Sequence, residues 1–166
     1  MTDKTLPDLD YLRNFLHYDP EQGIFYHKLT HGRAKAGDAA GCVHIDGYLR
    51  IQVKKRSYAA HRLVWLWETG AWPKRHIDHI DGNKINNRIS NLRDVNQSVN
   101  MQNLKKASAV NKTGFLGVWF EKGPQKYRAA IRLNGKRLYL GYYATPEEAS
   151  AAYFKAKKNL HEGYVF

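Results

Sequence analysis

The feature that most constrains the fold is an asparagine-rich segment in the middle of the chain. Seven asparagines fall between positions 83 and 103, a density too high for an ordinary buried helix or strand. Short apolar pairs flank the polar loop of this segment and predict two small strands around an Asp-Gly turn. The following stretch, 96–104, predicts a helix that closes the unit. The apolar pairs are Ile77 with Ile80 and Leu92 with Val95.

Polar groups suited to a metal site converge in this predicted unit. Asn96, Asn100 and Asn103 stand at i, i+4 and i+7 and share one helix face. This amide stripe would face an Asp78-His79 pair at the end of a strand. Mg²⁺ takes oxygen ligands and keeps several waters, so one carboxylate, one amide oxygen and phosphate oxygens form a sufficient set. The stripe leaves open whether Asn96 or Asn100 is the ligand.

The adjacent pair Asp78-His79 sets a condition on the backbone. Neighbouring side chains of a regular strand point to opposite faces, so both can serve one site only where the strand ends or bulges. The turn Ile80-Asp81-Gly82 directly after the pair predicts such an end.

Charge and composition narrow the class of protein. The net charge of +12 favours an anionic partner, and nucleic acid is the first candidate. A single cysteine excludes an internal disulfide and cysteine-rich zinc sites. No apolar run approaches the roughly 18 residues of a membrane span, and the N-terminal residues lack the apolar core of a signal peptide. We therefore expect a folded cytoplasmic protein without a membrane partner.

The N-terminal part predicts two helices and two strands. Apolar residues at helical spacing, ended by an Asp-Pro turn, predict a helix over 9–19. The aromatic and β-branched runs at 23–28 and 48–54 predict strands. The segment 59–70 predicts a helix that has one apolar face and stops at Gly70.

The motifs HRLVW, IDHIDGN, NN, NL and a further Asn together resemble the HNH endonuclease family. The resemblance is to the phage and intron homing type, in which the last His of the family name is replaced by Asn. It covers about residues 20–105 and implies a ββα-metal nuclease core over about 74–104.

The resemblance also implies roles for four residues. Asp78 matches the metal-binding acid, His79 the general base, Asn91 the residue that orients this base, and Asn100 the second metal ligand. One Mg²⁺ or Mn²⁺ ion is expected per active site. A neutral imidazole can take a proton from the attacking water while the metal neutralises charge on the phosphate. We expect products with a 3′-hydroxyl and a 5′-phosphate.

The C-terminal part predicts a second domain. The stretch 105–112, rich in Lys, Ser and Asn, predicts a linker between a first domain at 1–104 and a second at 113–166. Three strand-like runs, an Asn-Gly hairpin and a capped helix predict a three-stranded antiparallel sheet packed on one helix. The predicted fold class of the whole chain is α+β.

Alternation along the middle strand predicts a basic sheet face opposite an apolar one. Basic and aromatic side chains on such a face suit a DNA groove, whereas alternation alone is also typical of a solvated surface. The alternation makes Lys126 and Arg128 candidate DNA-binding residues, together with Arg132 and Arg137.

The motifs GVW, KYRAAIR and LYLGYYATPEEASAAY are similar to the plant Apetala-two/ethylene-response-factor DNA-binding domain. The similarity covers about residues 113–160. Leu116 stands where the plant domains have an Arg, so we carry over the fold and not the base specificity. The similarity implies that Trp119, Arg132, Arg137 and Tyr139 lie at DNA-contacting strand positions.

Two classes of function follow from these patterns. The first is a metal-dependent HNH endonuclease of the homing type that hydrolyses phosphodiester bonds in double-stranded DNA at a selected site. The second is a non-catalytic, sequence-specific DNA-binding regulator in which the HNH unit is only a scaffold. RNA binding is a third and weaker alternative, because basic sheets also bind RNA. No protein partner is evident, and we expect a monomer or weak dimer that nicks DNA or cuts both strands in the host of a phage or mobile element.

Overall fold

The computed structural model describes residues 6–108, 110–161 and 163–164. The chain divides into two compact units with a boundary between Val95 and Asn96. This boundary precedes the predicted linker at 105–112, so the helix that follows Asn96 belongs to the second unit. The assignment of a nuclease domain to 1–104 and of a DNA-binding domain to 113–166 stays a prediction.

The first unit consists of short helices and three small antiparallel sheets. In chain order its elements are α1 Leu9–Phe15, β1 Leu16–Asp19, β2 Ile24–His27, β3 Cys42–Val43, β4 Leu49–Val53, β5 Arg56–Ala59, α2 Ala60–Thr69, β6 His76–His79, a 3₁₀ turn Ile89–Asn91, and β7 Leu92–Val95. Strand β1 pairs with β2, β4 lies between β3 and β5, and β6 pairs with β7. The β6–β7 hairpin confirms the two strands predicted around the asparagine-rich loop.

The helix predicted over 9–19 is right only in its first half. The Asp8 carboxylate caps α1 by accepting a hydrogen bond from the Tyr11 N–H (2.7 Å), and the helix ends at Phe15. The next four residues form β1 and pair with β2 along their whole length. The apolar spacing fits a helix or a strand here, and pairing with β2 favours the strand.

Helix α2 follows the prediction closely. It ends at Gly70, which has a left-handed φ of 73° and donates its N–H to the carbonyl oxygen of Leu66 (2.9 Å). Leu63 and Val64 are fully buried in the core of the first unit. This packing fixes the helix whose first turn carries His61.

The second unit confirms the predicted three-stranded antiparallel sheet with a helix packed on it. Strand β9 (Lys126–Leu133) is central, and helix α4 (Pro146–Leu160) packs against all three strands. The Thr145 hydroxyl caps α4 by accepting a hydrogen bond from the Glu148 N–H (3.3 Å), and the Glu148 carboxylate accepts from the Thr145 N–H. The elements are α3 Gln97–Gln102, β8 Val118–Glu121, β9 Lys126–Leu133, β10 Lys136–Tyr143 and α4 Pro146–Leu160.

Apolar side chains fill the space between this sheet and α4. Val118, Ala129 and Ala149 are fully buried there, and Tyr127 and Tyr143 pack against them. The other face of the sheet is left to polar and aromatic side chains. Among the described residues, no helix has the length and apolar character that crossing a membrane requires.

Candidate active site and candidate nucleic-acid interface

Asp78 and His79 are the last two residues of β6, so the strand ends at the pair as predicted. Asp78 lies opposite Arg93 of β7, and His79 lies opposite Leu92. The chain then turns, and the Gly82 N–H donates to the carbonyl oxygen of His79 (2.9 Å). Both side chains are buried. A carboxylate and an imidazole are thus placed at the rim of a hairpin, where the ladder stops.

Arg93 holds the Asp78 carboxylate in place. Its Nε and Nη2 donate to Oδ2 of Asp78 at 2.9 and 2.7 Å. The Arg93 side chain is 22% exposed and the Asp78 side chain is 8% exposed, so solvent screens the ion pair only weakly. Two charge-assisted hydrogen bonds to one oxygen restrain the orientation of the carboxylate. Arg93 could not be identified from the sequence motifs, because its position opposite Asp78 depends on the register of the two strands.

The His79 ring contacts the side chain of Asn87. Its Nε2 lies 3.1 Å from Oδ1 of Asn87, a side chain that is almost fully buried. The amide that contacts Nε2 of His79 belongs to Asn87, and the role of Asn91 in orienting His79 stays a prediction. The doublet Asn86-Asn87 was part of the family motif, but spacing alone did not distinguish between the asparagines of this loop.

The Asn91 side chain holds the loop that follows Asp78 and His79. Its Oδ1 accepts from the Asp81 N–H (3.0 Å), and its Nδ2 donates to the Asp81 carboxylate (3.0 Å) and to the carbonyl oxygen of Asn86 (2.8 Å). Partial burial raises the pKa of Asp81, but the hydrogen bonds from Asn86, Asn83 and Asn91 outweigh it and keep the pKa below its usual range. The buried Asn91 amide thus acts as a brace across the loop.

An aromatic cluster packs around the His79 ring. The ring centroids of His61 and His79 are 5.1 Å apart with nearly perpendicular planes, and Tyr48 lies 5.2 Å from His61 and 5.9 Å from His79. Burial, helped by the neighbouring His79, lowers the pKa of His61 to about 3. His61 is therefore neutral at physiological pH. His61 thus packs against the His79 ring as an uncharged side chain.

His79 is also neutral at physiological pH. Burial lowers its pKa below the usual value of 6.5, although the hydrogen bond with Asn87 and the charges of Asp81 and Asp78 oppose this shift. The Lys84 ammonium group adds to the lowering. A neutral imidazole has one unprotonated nitrogen, so His79 is in the form that accepts a proton.

Lys84 brings a positive charge to the same end of the first unit. Its Nζ donates to the carbonyl oxygen of Asp46 (2.9 Å) and lies 4.6 Å from the centroid of the Tyr48 ring. Lys84 thus lies close enough to His79 to affect its pKa. Lys84 and Tyr48 belong to no spaced motif, so their place near His79 could not be predicted.

The donor set of this site suits a hard cation bound through few protein ligands. Among the described residues, no group of three or more His, Cys, Asp or Glu side chains is arranged to hold a metal. Mg²⁺ in nucleic-acid enzymes is commonly bound through one or two carboxylates, waters and substrate phosphates. The buried, oriented carboxylate of Asp78 fits that mode of binding, whereas a closed structural metal site does not fit these residues.

The second predicted metal ligand, Asn100, lies on α3 and therefore in the second unit. Asn96 is the N-cap of this helix, and its Oδ1 accepts from the Val99 N–H (2.9 Å). The amide oxygen of Asn96 is thus engaged in capping. This observation favours Asn100 between the two candidates, and its role as a ligand stays a prediction.

The six predicted DNA-binding residues lie on one face of the second-unit sheet. Antiparallel partners share a face, and the register pairs Trp119 with Arg128, Arg132 with Arg137, and Ala130 with Tyr139. Lys126 shares the face through the alternation of β9. A register shift between Tyr139 and Gly141 brings Tyr142 onto this face beside Arg128. Tyr142 could not be predicted on this face, because the alternation of residue types does not reveal the bulge.

Arginines and aromatic rings interleave on this face. The Arg128 guanidinium lies 5.9 Å from the Trp119 ring centroid and 5.4 Å from that of Tyr139, and Arg137 lies 5.6 Å from Trp119. Arg128 also forms an ion pair with Glu121 (2.8 Å). Arg128 is thus held within the face, whereas Arg132 and Arg137 are exposed.

Comparisons with known proteins match the segment that holds the candidate active-site residues. Residues 58–102 match a family model described as HNH endonuclease, and this segment contains Asp78, His79, Asn91 and Asn100. The chain is 33% identical over 92 residues to Protein 3.8 of Escherichia phage T7. This alignment covers 54% of this chain and 75% of that protein. The chain is also 37% identical over 71 residues to DNA endonuclease I-HmuI of Bacillus phage SP01. This second alignment covers 40% of this chain and 41% of that protein.

No solved structure matches the chain. The segment that matches the family model ends before β8, so the likeness of the second-unit sheet to an Apetala-two domain stays a prediction.

Proposed function

We propose that this chain, which belongs to the HNH endonuclease family, is a metal-dependent endonuclease of the homing type that hydrolyses phosphodiester bonds of duplex DNA at a selected site. The observation that carries the proposal is the placement of a buried neutral imidazole, His79, beside a buried carboxylate, Asp78, at the end of β6. This arrangement lies within the segment that matches the family model.

His79 is the proposed general base. Its neutral ring takes a proton from the water that attacks the phosphorus in line with the departing oxygen. Burial keeps the ring from being protonated at neutral pH, and the contact with Asn87 restrains its rotation. Lys84 supplies a positive charge near the position where negative charge develops on the phosphate.

Asp78 is the proposed metal ligand, with Asn100 as the second ligand implied by the family resemblance. A bound Mg²⁺ or Mn²⁺ ion, one per active site, supplies charge neutralisation on the phosphate and the departing oxygen. Arg93 keeps the Asp78 carboxylate oriented for this role. Cleavage leaves a 3′-hydroxyl and a 5′-phosphate.

The sheet of the second unit is the proposed DNA-binding surface, by similarity to the Apetala-two/ethylene-response-factor domain. Exposed Arg132 and Arg137 are suited to phosphates or base edges, and the Trp119 ring provides apolar contact. This surface adds affinity and selectivity to a nuclease unit that acts as a monomer or weak dimer in the host cytoplasm.

Incubation of the purified chain with phage or intron-containing DNA and Mg²⁺ tests the proposal. We expect discrete fragments whose ends are joined by DNA ligase without prior phosphorylation, because the ends carry a 5′-phosphate and a 3′-hydroxyl. Specific binding without metal-dependent cleavage of any such DNA would favour the DNA-binding regulator instead.

A further inference from the structure

The β1–β2 hairpin lies directly against the segment that carries Asn87. The Tyr18 hydroxyl of β1 donates to the carbonyl oxygen of Asn87 (3.0 Å), and Tyr18 is buried. Burial raises the pKa of Tyr18 to about 12, so its hydroxyl stays protonated and remains a donor. Residues 69 positions apart in sequence are thus joined by a buried hydrogen bond.

Two further contacts of the hairpin hold the same backbone. The Arg88 Nε donates to the carbonyl oxygen of Glu21 in the turn between β1 and β2. Gly23, in the same turn, approaches so closely that an added Cβ would lie 2.6 Å from the Arg88 nitrogen and 2.8 Å from the Asn87 carbonyl carbon. Its φ of +74° also disfavours other residues. The hairpin therefore clamps the Asn87–Arg88 backbone on several sides.

The Asn87 side chain has one favourable orientation in this clamp. Its Nδ2 donates to the carbonyl oxygen of Ile85 (3.3 Å), and its Oδ1 faces Nε2 of His79 (3.1 Å). Rotation of the amide by half a turn would place its oxygen against another carbonyl oxygen. Since Oδ1 can only accept, Nε2 of a neutral His79 must carry the proton, and Nδ1 keeps the basic lone pair.

We propose that Tyr18 and Asn87 are positioning residues that fix the tautomer of His79, with the β1–β2 hairpin as the clamp that holds them. Asn87 contacts the His79 ring through its amide oxygen. Tyr18 holds Asn87 through a hydrogen bond to the Asn87 backbone carbonyl oxygen. The inference rests on the proposed function in that it treats His79 as the general base. The β1–β2 hairpin lies outside residues 58–102, so the residues that hold Asn87 in place are not part of the segment that matches the family model.

The direct test is ¹⁵N NMR of the His79 ring in the full-length chain at pH 8, where the ring is neutral. Protonated and unprotonated ring nitrogens have well-separated shifts, so the tautomer is read without DNA or metal. We expect the Nε2–H form in the wild type and in Asn87→Asp, which keeps an acceptor oxygen. In Asn87→Leu, which has a similar size but no acceptor, we expect a mixture of the two tautomers.

Kinetics on cleavable DNA provide the second readout. Asn87→Leu should lower kcat at least about 10-fold with little change in KM, and Asn87→Asp should restore part of the loss. Tyr18→Phe removes only the clamping hydroxyl and should lower kcat several-fold. Tyr26→Phe is the matched control, because its hydroxyl on β2 bonds Gln22 and does not reach Asn87.

The outcomes separate this inference from the proposed function. An Nδ1–H tautomer in the wild type, or an unchanged tautomer in Asn87→Leu, would overturn the inference. If Asn87→Leu does not fold, Tyr18→Phe decides: behaviour identical to Tyr26→Phe in both tautomer and kcat would also overturn it. Absence of DNA cleavage by the wild type would overturn the proposed function, and the NMR result would still decide the role of the clamp.

Discussion

Arg93 donates two hydrogen bonds to the same carboxylate oxygen of Asp78, at 2.9 Å from Nε and 2.7 Å from Nη2, across the β6–β7 ladder. The pair restrains the group that we propose as the metal ligand. Its burial also makes each partner dependent on the other, because an unpaired buried charge is costly.

Replacement of Asp78 by Asn should therefore have two effects. Metal-dependent cleavage should fall at least about 100-fold, since several kcal/mol of charge stabilisation are lost. The free energy of unfolding should fall by about 1–2 kcal/mol, because Arg93 loses its charged partner. Urea denaturation and cleavage rates measure the two effects. Asp94→Asn is the control, because this β7 carboxylate accepts from the Lys74 backbone; a similar loss of cleavage in the control would contradict the assignment.

The pH dependence of cleavage tests the protonation state of His79. The base is the neutral form, and burial lowers its pKa below 6.5. Activity should therefore be fully present above this lowered pKa and be lost as pH falls through it. We expect kcat/KM to be flat between pH 7 and 8 and to decline only on the acidic side. A steady rise across neutral pH would mean that His79 is not the titrating base.

Asn91 should matter for the stability of the loop. Its amide makes three part-buried hydrogen bonds that bridge Asp81 and Asn86, and Asn91→Ala removes all three. We expect a loss of about 2–3 kcal/mol in the free energy of unfolding, measured with urea. Unchanged stability with lost activity would instead support the predicted direct role of Asn91 in orienting His79.

Arg137 and Lys136 offer a matched comparison on β10. The two are adjacent and exposed, but only Arg137 lies on the face with Trp119. Arg137→Ala should weaken duplex DNA binding and reduce the slope of log K against log salt by about one. Lys136→Ala should have a smaller effect. Equal effects of the two variants would argue for a diffuse basic surface rather than a binding face.

The buried Lys157 should make stability depend on pH. Its Nζ donates to the carbonyl oxygen of Leu104 (2.5 Å), and burial, with a small effect of Lys105, lowers its pKa from 10.5 to about 8. The unfolded chain then binds more protons between pH 8 and 10.5, so stability should rise with pH in this window. We expect a gain of about 1–2 kcal/mol from pH 7.5 to 9.5 relative to Lys157→Met. A parallel dependence in both proteins would contradict the buried charge.

Much of the fold could be predicted from local patterns. The β6–β7 hairpin, α2 with its Gly70 stop and the second-unit sheet follow from apolar spacing and turn residues that act within a few positions. Strand β1 was missed because its apolar spacing also fits a helix. Its pairing with β2 is information that a single window of sequence does not contain.

The candidate site was predicted in its residue types but not in its connections. Asp78 and His79 were identified through the spaced motif. The end of the strand directly after His79 was predicted from the turn at Asp81-Gly82. The contact of Asn87 with His79 was not, since several asparagines of one loop have similar spacing. Tyr18 could not be linked to the site, because its hydrogen bond to Asn87 spans 69 positions.

The most direct test of the proposed nuclease activity is whether the chain converts a supercoiled plasmid that carries phage or intron-containing DNA to nicked circles or linear DNA. Wild-type chain and His79→Ala are compared on one gel, with Mg²⁺ and with a chelator. We expect the wild type to produce nicked circles, or linear DNA, only with Mg²⁺, and His79→Ala to be slower by about 10²–10⁴-fold while remaining folded. Equal conversion by the variant would contradict the role of His79 as the general base, and no metal-dependent conversion by the wild type would contradict the proposed nuclease activity.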